Sequence, residues 1–376
     1  MDFDLRAHTI LLTVAGSRAY GLHRPDSDVD LKGVAIPPAP YFHGFARKFA
    51  QADDAASMAP FAVDLTDEEQ TIVASTKLEG SIYGLRKFAR LASECNPNIL
   101  DALFCRDAEV RHLHPLGRRL REHREAFLSA RARHTYAGYA NAQLKRIRTH
   151  RTWLLDPPQR EPTRADFGLP PMPTIPRQQL MAAHAAVRSK VDSWNIDYGT
   201  LQPAGVIALQ ERITGMLADR HLFAVDDFTT AARSIGLDDN LIAHMQAERA
   251  YGAAHRQWVL YNRWKTHRNP ARAALEAEHG YDTKHGAHLV RLLRMGCEIL
   301  RSGRVQVWRG DLDAEELQGI RDGAWSYDDL LAFADTELQT IARLEEAGPA
   351  VPDKPDMNAL DALVADLVET FLSAAR

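Results

Sequence analysis

The chain has 376 residues, 45% hydrophobic and 26% charged, with a formal net charge of −4. This is the composition of a globular protein with room for two or three domains, without the overall basic charge typical of nucleic-acid-binding proteins. No apolar run is long enough for a membrane span, no signal peptide is evident, and Cys95, Cys105 and Cys297 are too scattered for a disulfide framework or a zinc site. We therefore expect a cytoplasmic protein with no membrane partner, in which any nucleic-acid site is a local patch.

The first strong pattern is an apolar run at residues 10–15, followed by Gly16 and Ser17. The run has the length and composition of a buried strand. Glycine suits a tight turn and lets the backbone approach a ligand closely, and Ser17 can cap the short helix that follows. A strand, a Gly-Ser turn and a helix in this order present free backbone N–H groups, which bind phosphate well.

Two carboxylates follow, Asp28 and Asp30, at the start of a second apolar run at residues 31–36. Side chains two apart on a strand point to the same face, roughly 6–7 Å apart along the chain. Two carboxylates held in this way repel each other unless a cation lies between them, and Mg²⁺ or Mn²⁺ suits both hard oxygen ligands and phosphate. A phosphate-binding turn followed by a metal-binding pair of aspartates is the equipment for transferring a nucleotidyl group from a triphosphate.

The Gly-Ser turn and the aspartate pair resemble the active-site signature of the polymerase-β-like nucleotidyltransferase superfamily, which is Gly-Ser, a short helix and then Asp-x-Asp on the next strand. The alternative is a simple turn beside an exposed acidic loop, but apolar strands on both sides favour the functional interpretation. The resemblance implies a nucleotide-binding group and a metal-binding group, which are Gly16, Ser17, Arg18 and Tyr20, and Asp28 and Asp30.

The superfamily chemistry also needs a third carboxylate, from a later strand, to complete the metal site and activate the attacking hydroxyl. Glu79 is the first choice, because it lies just before a helix predicted at residues 81–95, where the third acid of the minimal fold usually falls. It differs from the commoner Asp, so Asp64 stays open as the alternative, and either residue can simply be a solvated surface acid. Residues 71–74 are compatible with a short strand.

Residues 85–88 (Leu-Arg-Lys-Phe) and 96–100 (Asn-Pro-Asn-Ile-Leu) narrow the resemblance. They are similar to a branch of predicted nucleotidyltransferases found beside bacterial RNA ligases and RNA-repair genes, which implies a tRNA or damaged RNA end as acceptor. Helix capping and turn formation are enough to explain Asn96 and Asn98. Residues 131–151 are basic with interleaved tyrosines, a pattern that suits single-stranded nucleic acid but also an ordinary solvated helix face.

Proline-rich residues 154–176 indicate a linker or an extended surface segment. The rest of the chain is predicted to be helical, at about 178–190, 205–220, 226–234, 238–266, 284–302, 313–323, 327–346 and 357–375.

A second polar cluster opens the helix predicted near residue 284. Asp282 or Thr283 is a good N-cap. The next residues include Lys284, His288 and Arg291 at i, i+4 and i+7, which share one helix face and can hold a triphosphate near the positive helix end. The Tyr-Asp-Thr-Lys-His run at 281–285 also resembles the RNA-repair-associated family. The predicted nucleotide-binding residues of this cluster are Lys284, His285, His288 and Arg291.

Two alternatives remain for this second cluster. His285 and His288 are spaced for zinc, although the surrounding Lys and Arg side chains disfavour a second cation. A structural network of histidine and aspartate side chains would also explain the residues.

These patterns predict an α+β fold, with a small mixed β-sheet nucleotidyltransferase domain at residues 1–110 and a mostly α-helical domain at 111–376. Within the helical domain we expect basic helices at 131–153, the linker at 154–176 and further helices at 177–376, with the active site in the cleft between the domains. The predicted activity is transfer of a nucleoside monophosphate from a nucleoside triphosphate, ATP first, to an RNA hydroxyl, with Mg²⁺ or Mn²⁺ as cofactor. A protein or small-molecule acceptor, and a non-catalytic nucleotide- or RNA-binding module, are the alternatives.

Overall fold

The computed structural model describes residues 2–25, 27–76, 78–192 and 227–374. The helix predicted at about 205–220 lies outside the described residues. The chain divides into two compact units, the first formed by Met1–Leu155 with Asn269–Arg376 and the second by Asp156–Arg268. The predicted domain boundary near residue 110 falls inside the first unit and stays a prediction.

The first unit contains a five-stranded mixed sheet, which confirms the predicted α+β class. Its strands are β1 (Thr9–Ala15), β2 (Val29–Ala35), β3 (Gln51–Ala52), β4 (Leu78–Gly84) and β5 (Val110–Leu113). The spatial order is β3-β4-β2-β1-β5, with β2 antiparallel to β1 and parallel to β4. The two apolar runs that the sequence predicted as strands therefore form the centre of the sheet.

The strand register brings together residues that are far apart in sequence. Asp30 of β2 pairs with Ala15 at the end of β1 and with Glu79 of β4. Lys32 lies two residues after Asp30, on the same face of β2, and pairs with Ser81 of β4. The turn that follows Ala15 therefore lies beside Asp30, and Glu79 lies on the other side of the same strand.

Seven helices are interleaved with the strands or follow them. They are α1 (Gly16–Tyr20), α2 (Pro40–His43), α3 (Ala55–Met58), α4 (Asp67–Val73), α5 (Leu85–Ser93), α6 (Pro97–Phe104) and α7 (Pro115–Glu122). The short strand predicted at 71–74 is wrong, because Thr66 and Glu69 form a capping box that starts α4. The helix predicted from residue 81 begins only at Leu85, because residues 78–84 extend the sheet beside β2.

The remaining described part of the chain is helical, as predicted. Its helices are α8 (Ala132–Leu155), α9 (Arg177–Asp192), α10 (Asp227–Ser234), α11 (Asp239–His267), α12 (Pro270–His279), α13 (Thr283–Ser302), α14 (Ala314–Arg321), α15 (Tyr327–Glu346) and α16 (Met357–Ala374). Helices α9 to α11 belong to the second unit. None of the helices in the described ranges has both the length and the apolar character needed to cross a membrane.

Three hydrophobic clusters stabilise the first unit. Helices α5, α6, α7 and α16 cover one part of the sheet, and residues 58–65 cover another. In the largest cluster α13 is packed among α8, α14 and α15, and Tyr20 and Leu22 from the α1 region join it. The first turns of α13 are thereby placed next to the Gly-Ser turn. Cys95, Cys105 and Cys297 are buried and unbridged.

Candidate active site

A single pocket of the first unit gathers nearly all of the predicted site residues. Its volume is about 1080 Å³, and strands β1, β2 and β4 and helices α1, α6, α8, α12, α13 and α14 contribute to its lining. The predicted residues found there are Gly16, Ser17, Tyr20, Asp28, Asp30, Glu79, Lys284, His285, His288 and Arg291. Only Arg18 of the predicted set does not line it.

Gly16 is required by its backbone conformation and by its neighbour. Its φ is +62°, and a Cβ placed on it would come within 2.7 Å of Asp30 Oδ2. Any side chain here would both strain the turn and push against that carboxylate. The turn therefore lets the backbone around Gly16 and Ser17 lie directly beside the acidic group.

Three carboxylates face the pocket without forming any hydrogen bond or ion pair within the part of the chain that the structure describes. Asp30 and Glu79 are side by side on β2 and β4, and Asp28 lies just before β2. Burial raises the pKa of Asp30, and the charges of Asp28 and Glu79 raise it further, against the opposing effect of Lys32. Mutually repelling, unpartnered carboxylates are the donor set that a hard divalent cation such as Mg²⁺ requires, so these residues fit the predicted metal.

Asp64, the alternative third acid, has a different environment. Arg6 donates two hydrogen bonds to it, from Nε to Oδ2 and from Nη2 to Oδ1, each 2.8 Å long. Asp64 is not among the residues lining the pocket. The geometry therefore groups Glu79, and not Asp64, with the aspartate pair.

Helix α13 supplies the opposite wall of the pocket. Asp282 caps the helix by accepting a hydrogen bond from the backbone N–H of His285 (3.1 Å). Burial lowers the pKa of Lys284, while the charges of Asp28 and Asp30 counteract this effect, so its ammonium is in electrostatic contact with the acidic group. The Lys284 side chain has no hydrogen-bond or ion-pair partner among the described residues.

The two histidines of this wall are neutral near pH 7. Burial lowers the pKa of His285 to about 4 and that of His288 well below its ordinary value. His288 Nδ1 lies 3.2 Å from Arg291 Nη2, at hydrogen-bonding distance. The wall therefore contributes its positive charge through Lys284 and Arg291, and its histidines act as neutral polar groups.

Arg18 instead supports the loop that leads to Asp28. Its side chain is 7% exposed, donates from Nη2 to the backbone carbonyl of Ser27 (3.2 Å), and lies 3.6 Å from Glu68 Oε1. These contacts hold the segment between α1 and β2 in place.

Several pocket residues were missed by sequence analysis, namely Lys32, Asn98, Gln143, Arg146, Arg272 and Arg321. The sequence could have predicted Lys32, because it follows Asp30 by two residues on the same strand and therefore lies on the same face. Arg146 belongs to the basic stretch at 131–151, whose residues Lys145 and Arg148 are also exposed, whereas Tyr136 is fully buried and cannot stack on a base. Arg272 and Arg321 reach the pocket only through tertiary packing.

A second group of possible metal ligands lies close by. Atoms of His150, Glu276 and Asp282 approach within 4.8 Å of one another. The guanidinium of Arg272 forms an ion pair with Asp282 and lies 3.7 Å from Glu276 Oε1. Its positive charge therefore already balances the two carboxylates. This arrangement corresponds to a structural network of charged side chains.

Comparison with known proteins gives one finding. Residues 4–154 match the family described as the RNA repair pathway DNA polymerase beta family. No curated protein and no solved structure gives a significant match to the chain. The resemblance predicted from the motifs is confirmed for the region that carries the Gly-Ser turn and the three carboxylates, and helix α13 lies outside the matched residues.

Proposed function

We propose, from the match of residues 4–154 to a polymerase-β-like family of RNA repair, that the chain is a metal-dependent nucleotidyltransferase. It would transfer a nucleoside monophosphate from a nucleoside triphosphate, ATP first, to a hydroxyl group of an RNA end. The observation that carries this proposal is that a Gly-Ser turn and three unpartnered carboxylates line one pocket. A non-catalytic binding module would not require all three carboxylates, whereas nucleotidyl transfer to any acceptor would.

Asp28, Asp30 and Glu79 would hold Mg²⁺ or Mn²⁺. Held there, the metal would supply charge neutralisation at the α-phosphate and activation of the acceptor hydroxyl. Glu79, across β2 from the Gly-Ser turn, would serve the side from which the acceptor hydroxyl approaches. The acceptor oxygen forms a bond to the α-phosphorus, the bond to the β-phosphate oxygen breaks, and pyrophosphate leaves.

The triphosphate would lie between the Gly-Ser turn and helix α13. Backbone N–H groups around Gly16 and Ser17 would donate to phosphate oxygens, because the glycine lets the chain approach without a side chain in the way. Lys284 and Arg291 would supply positive charge, and His285 and His288 neutral polar contacts. Tyr20 would contribute its ring to the pocket lining, because its hydroxyl donates to Asp101. Arg18 would act indirectly, by positioning the loop before Asp28.

The acceptor strand would reach the pocket along α8. Arg146 lines the pocket, and Lys145 and Arg148 are exposed on the same helix. Positive charge on the pocket wall and elsewhere on the same helix suits a phosphodiester backbone, whose binding weakens as salt rises. RNA is preferred over a small molecule as acceptor because residues 4–154 match a family of RNA repair, and the charge on α8 is compatible with it.

The test is to incubate the enzyme with labelled nucleoside triphosphates and Mg²⁺ in two parallel reactions, one with total RNA and one with total cellular protein as the acceptor. We expect label in RNA, and about a hundredfold loss or more in Asp28→Asn, Asp30→Asn and Glu79→Gln, because each removes metal-dependent stabilisation of several kcal/mol. Asp64→Asn is the matched control and should keep its activity. Label in protein and not in RNA would show that the acceptor is a protein. Unchanged transfer by Asp28→Asn and Asp30→Asn would refute the metal site.

A further inference from the structure

The inner wall of the pocket contains a buried group of charges centred on Asp101 of α6. Asp101 is 2% exposed, and its Oδ2 accepts a hydrogen bond of 2.6 Å from the Tyr20 hydroxyl. Nη1 of Arg291 lies 3.5 Å from the same oxygen. One carboxylate thereby connects α6 with α1, which carries Tyr20, and with α13, which carries Arg291.

The guanidinium of Arg291 is almost completely buried, with 1% of the residue exposed, yet it lines the pocket. Its Cζ lies 3.6 Å from the centroid of the Tyr20 ring, and its other neighbours are His288 and the sulfur of Met295. Its Nε is buried and has no hydrogen-bond partner in the described part of the chain. A buried charged donor of this kind is costly unless a ligand satisfies it.

Lys32 adds a second positive charge to the same wall. Lys32 lines the pocket and shares a face of β2 with Asp30. Asp101 and Asp30 attract its ammonium and Arg291 repels it, and no hydrogen bond or ion pair involving described residues holds the ammonium. Since Asp30 would bind metal, Asp101 is the one remaining carboxylate in this group to balance Lys32 and Arg291. The inner wall therefore carries an excess of positive charge that faces the pocket.

We propose that Lys32 together with Arg291, which Asp101 holds in position, forms a subsite for one phosphate group at the inner wall of the pocket. This proposal rests on the proposed function in one respect, which is that the pocket binds a nucleotide. The phosphate has two possible sources, the triphosphate tail of the nucleotide and a terminal phosphate of the acceptor RNA. Asp101 acts as a positioning residue for Arg291, and its negative charge offsets part of the repulsion between Arg291 and Lys32.

The proposal can be tested by binding alone. Inorganic pyrophosphate is titrated into the full-length protein by calorimetry in EDTA, which removes metal as a bridge to the carboxylates. Lys32→Met should bind at least about tenfold more weakly, because it loses a charged hydrogen bond, whereas Lys32→Arg, which keeps the charge, should restore much of the affinity. Lys48→Met, which removes an exposed positive charge outside the pocket, is the matched control and should bind like wild type.

Two further titrations identify the source of the phosphate. ATP and AMP are compared in EDTA, and RNA oligonucleotides with and without a terminal phosphate are compared by fluorescence anisotropy. If Lys32→Met weakens pyrophosphate and ATP binding, the subsite holds the nucleotide tail. If it leaves both unchanged but removes the preference for the phosphorylated oligonucleotide, the subsite holds the acceptor phosphate.

The proposal is overturned if Lys32→Met matches wild type within twofold in all of these titrations, with an unchanged melting profile. It is also overturned if the wild-type protein shows neither pyrophosphate binding nor a preference for the phosphorylated oligonucleotide. Asp28→Asn separates this outcome from failure of the proposed activity. That variant should lose nucleotidyl transfer and keep metal-free pyrophosphate binding.

Discussion

Asp30 lies in a position that makes its charged form less favourable than in water when no metal is bound. Burial raises its pKa, as do the charges of Asp28 and Glu79. When an acid has a higher pKa in the folded than in the unfolded protein, the free energy of unfolding falls as the pH rises from the unfolded-state pKa to the folded-state pKa. The loss of stability persists at higher pH. Function therefore places a destabilising carboxylate where an uncharged side chain would be tolerated better.

Asp30→Asn is accordingly predicted to raise the melting temperature of the metal-free protein at pH 8 while it abolishes transfer. About 1 kcal/mol would correspond to a rise of roughly 2–4 °C in a domain of this size. Calorimetry in EDTA measures the difference, which should shrink as the pH is lowered towards the raised pKa. Mg²⁺ should stabilise wild type and have little effect on the variant. A variant that melts below wild type at pH 8 in EDTA would contradict the prediction.

Gly16 offers a second prediction at a single position. Gly16→Ala would place a Cβ 2.7 Å from Asp30 Oδ2 in a backbone with φ of +62°, so the Asp30 carboxylate must move. We expect at least about a tenfold loss in kcat/KM and weaker Mg²⁺ binding, because small displacements of catalytic groups are costly. Gly168→Ala is the matched control, since Gly168 has φ of +69° and no atom within 4 Å of the added Cβ. Equal activity of both variants would show that the Gly16–Asp30 approach has no catalytic role.

The residues of the candidate site differ in how far the sequence could reveal them. Gly16, Ser17, Asp28 and Asp30 form a local pattern whose spacing alone fixes their relation on one strand and one turn. The grouping of Glu79 with Asp30 is set by parallel pairing of β2 and β4, which a linear pattern does not contain. Asp101 carried no signal, because its partners come from helices α1 and α13 and meet only in the folded chain.

Helix α13 depends on a buried charge at its N-cap. Asp282 caps the helix and pairs with Arg272. Burial raises the pKa of Asp282, but the His150 side chain, whose Nδ1 lies 3.7 Å from Oδ2, and the charge of Arg272 outweigh that effect and hold the pKa well below its ordinary value. An acid with a lowered pKa stabilises the fold above its unfolded pKa and loses this contribution as the pH falls.

Asp282→Asn keeps an acceptor for the helix cap but removes the charge. We predict a loss of about 2–4 kcal/mol in the free energy of unfolding at pH 7, because Arg272 loses its buried partner. Urea denaturation measures the loss, which should become smaller as the pH falls below 4. Asp238→Asn is the control, since Asp238 caps α11 in the same way but is exposed, and it should change stability by less than about 0.5 kcal/mol. Similar losses in the two variants would mean that the buried Asp282–Arg272 pair adds no more stability than the charge of an exposed N-cap does.

At the level of elements, the sequence predicted helices better than strands. The caps and apolar periodicity of α13, α15 and α16 are local properties, so their limits were predicted within a few residues. Residues 71–74 contain β-branched side chains, yet the capping box at Thr66 and Glu69 starts a helix there. Strand β4 was partly assigned to a helix, because its identity depends on pairing with β2.

Across the whole first unit, both ends of the chain are needed to build the pocket. The backbone N–H of Arg309 donates to the carbonyl of Tyr20 (3.0 Å), and the side chain of Arg321 donates to the carbonyl of Leu22. The segment that follows the Gly-Ser turn is thereby fixed by residues from the C-terminal helices. The family match ends at residue 154, but the pocket does not, and a fragment ending there would lack the wall formed by α13.

All residues that line the pocket belong to the first unit, and none comes from the described residues of Asp156–Arg268. We therefore predict that a chain in which a Gly/Ser linker of about 12 residues, spanning roughly 20 Å on average, replaces 156–268 will fold and bind ATP with Mg²⁺ within a few-fold of wild type. Calorimetric titration measures the ATP affinity, with Asp30→Asn in the shortened chain as the negative control.

A fragment of residues 1–155 should bind ATP far more weakly, because it lacks Lys284 and Arg291. Loss of ATP binding by a well-folded shortened chain would show that the second unit contributes to the nucleotide site, and equal binding by the 1–155 fragment would remove α13 from it.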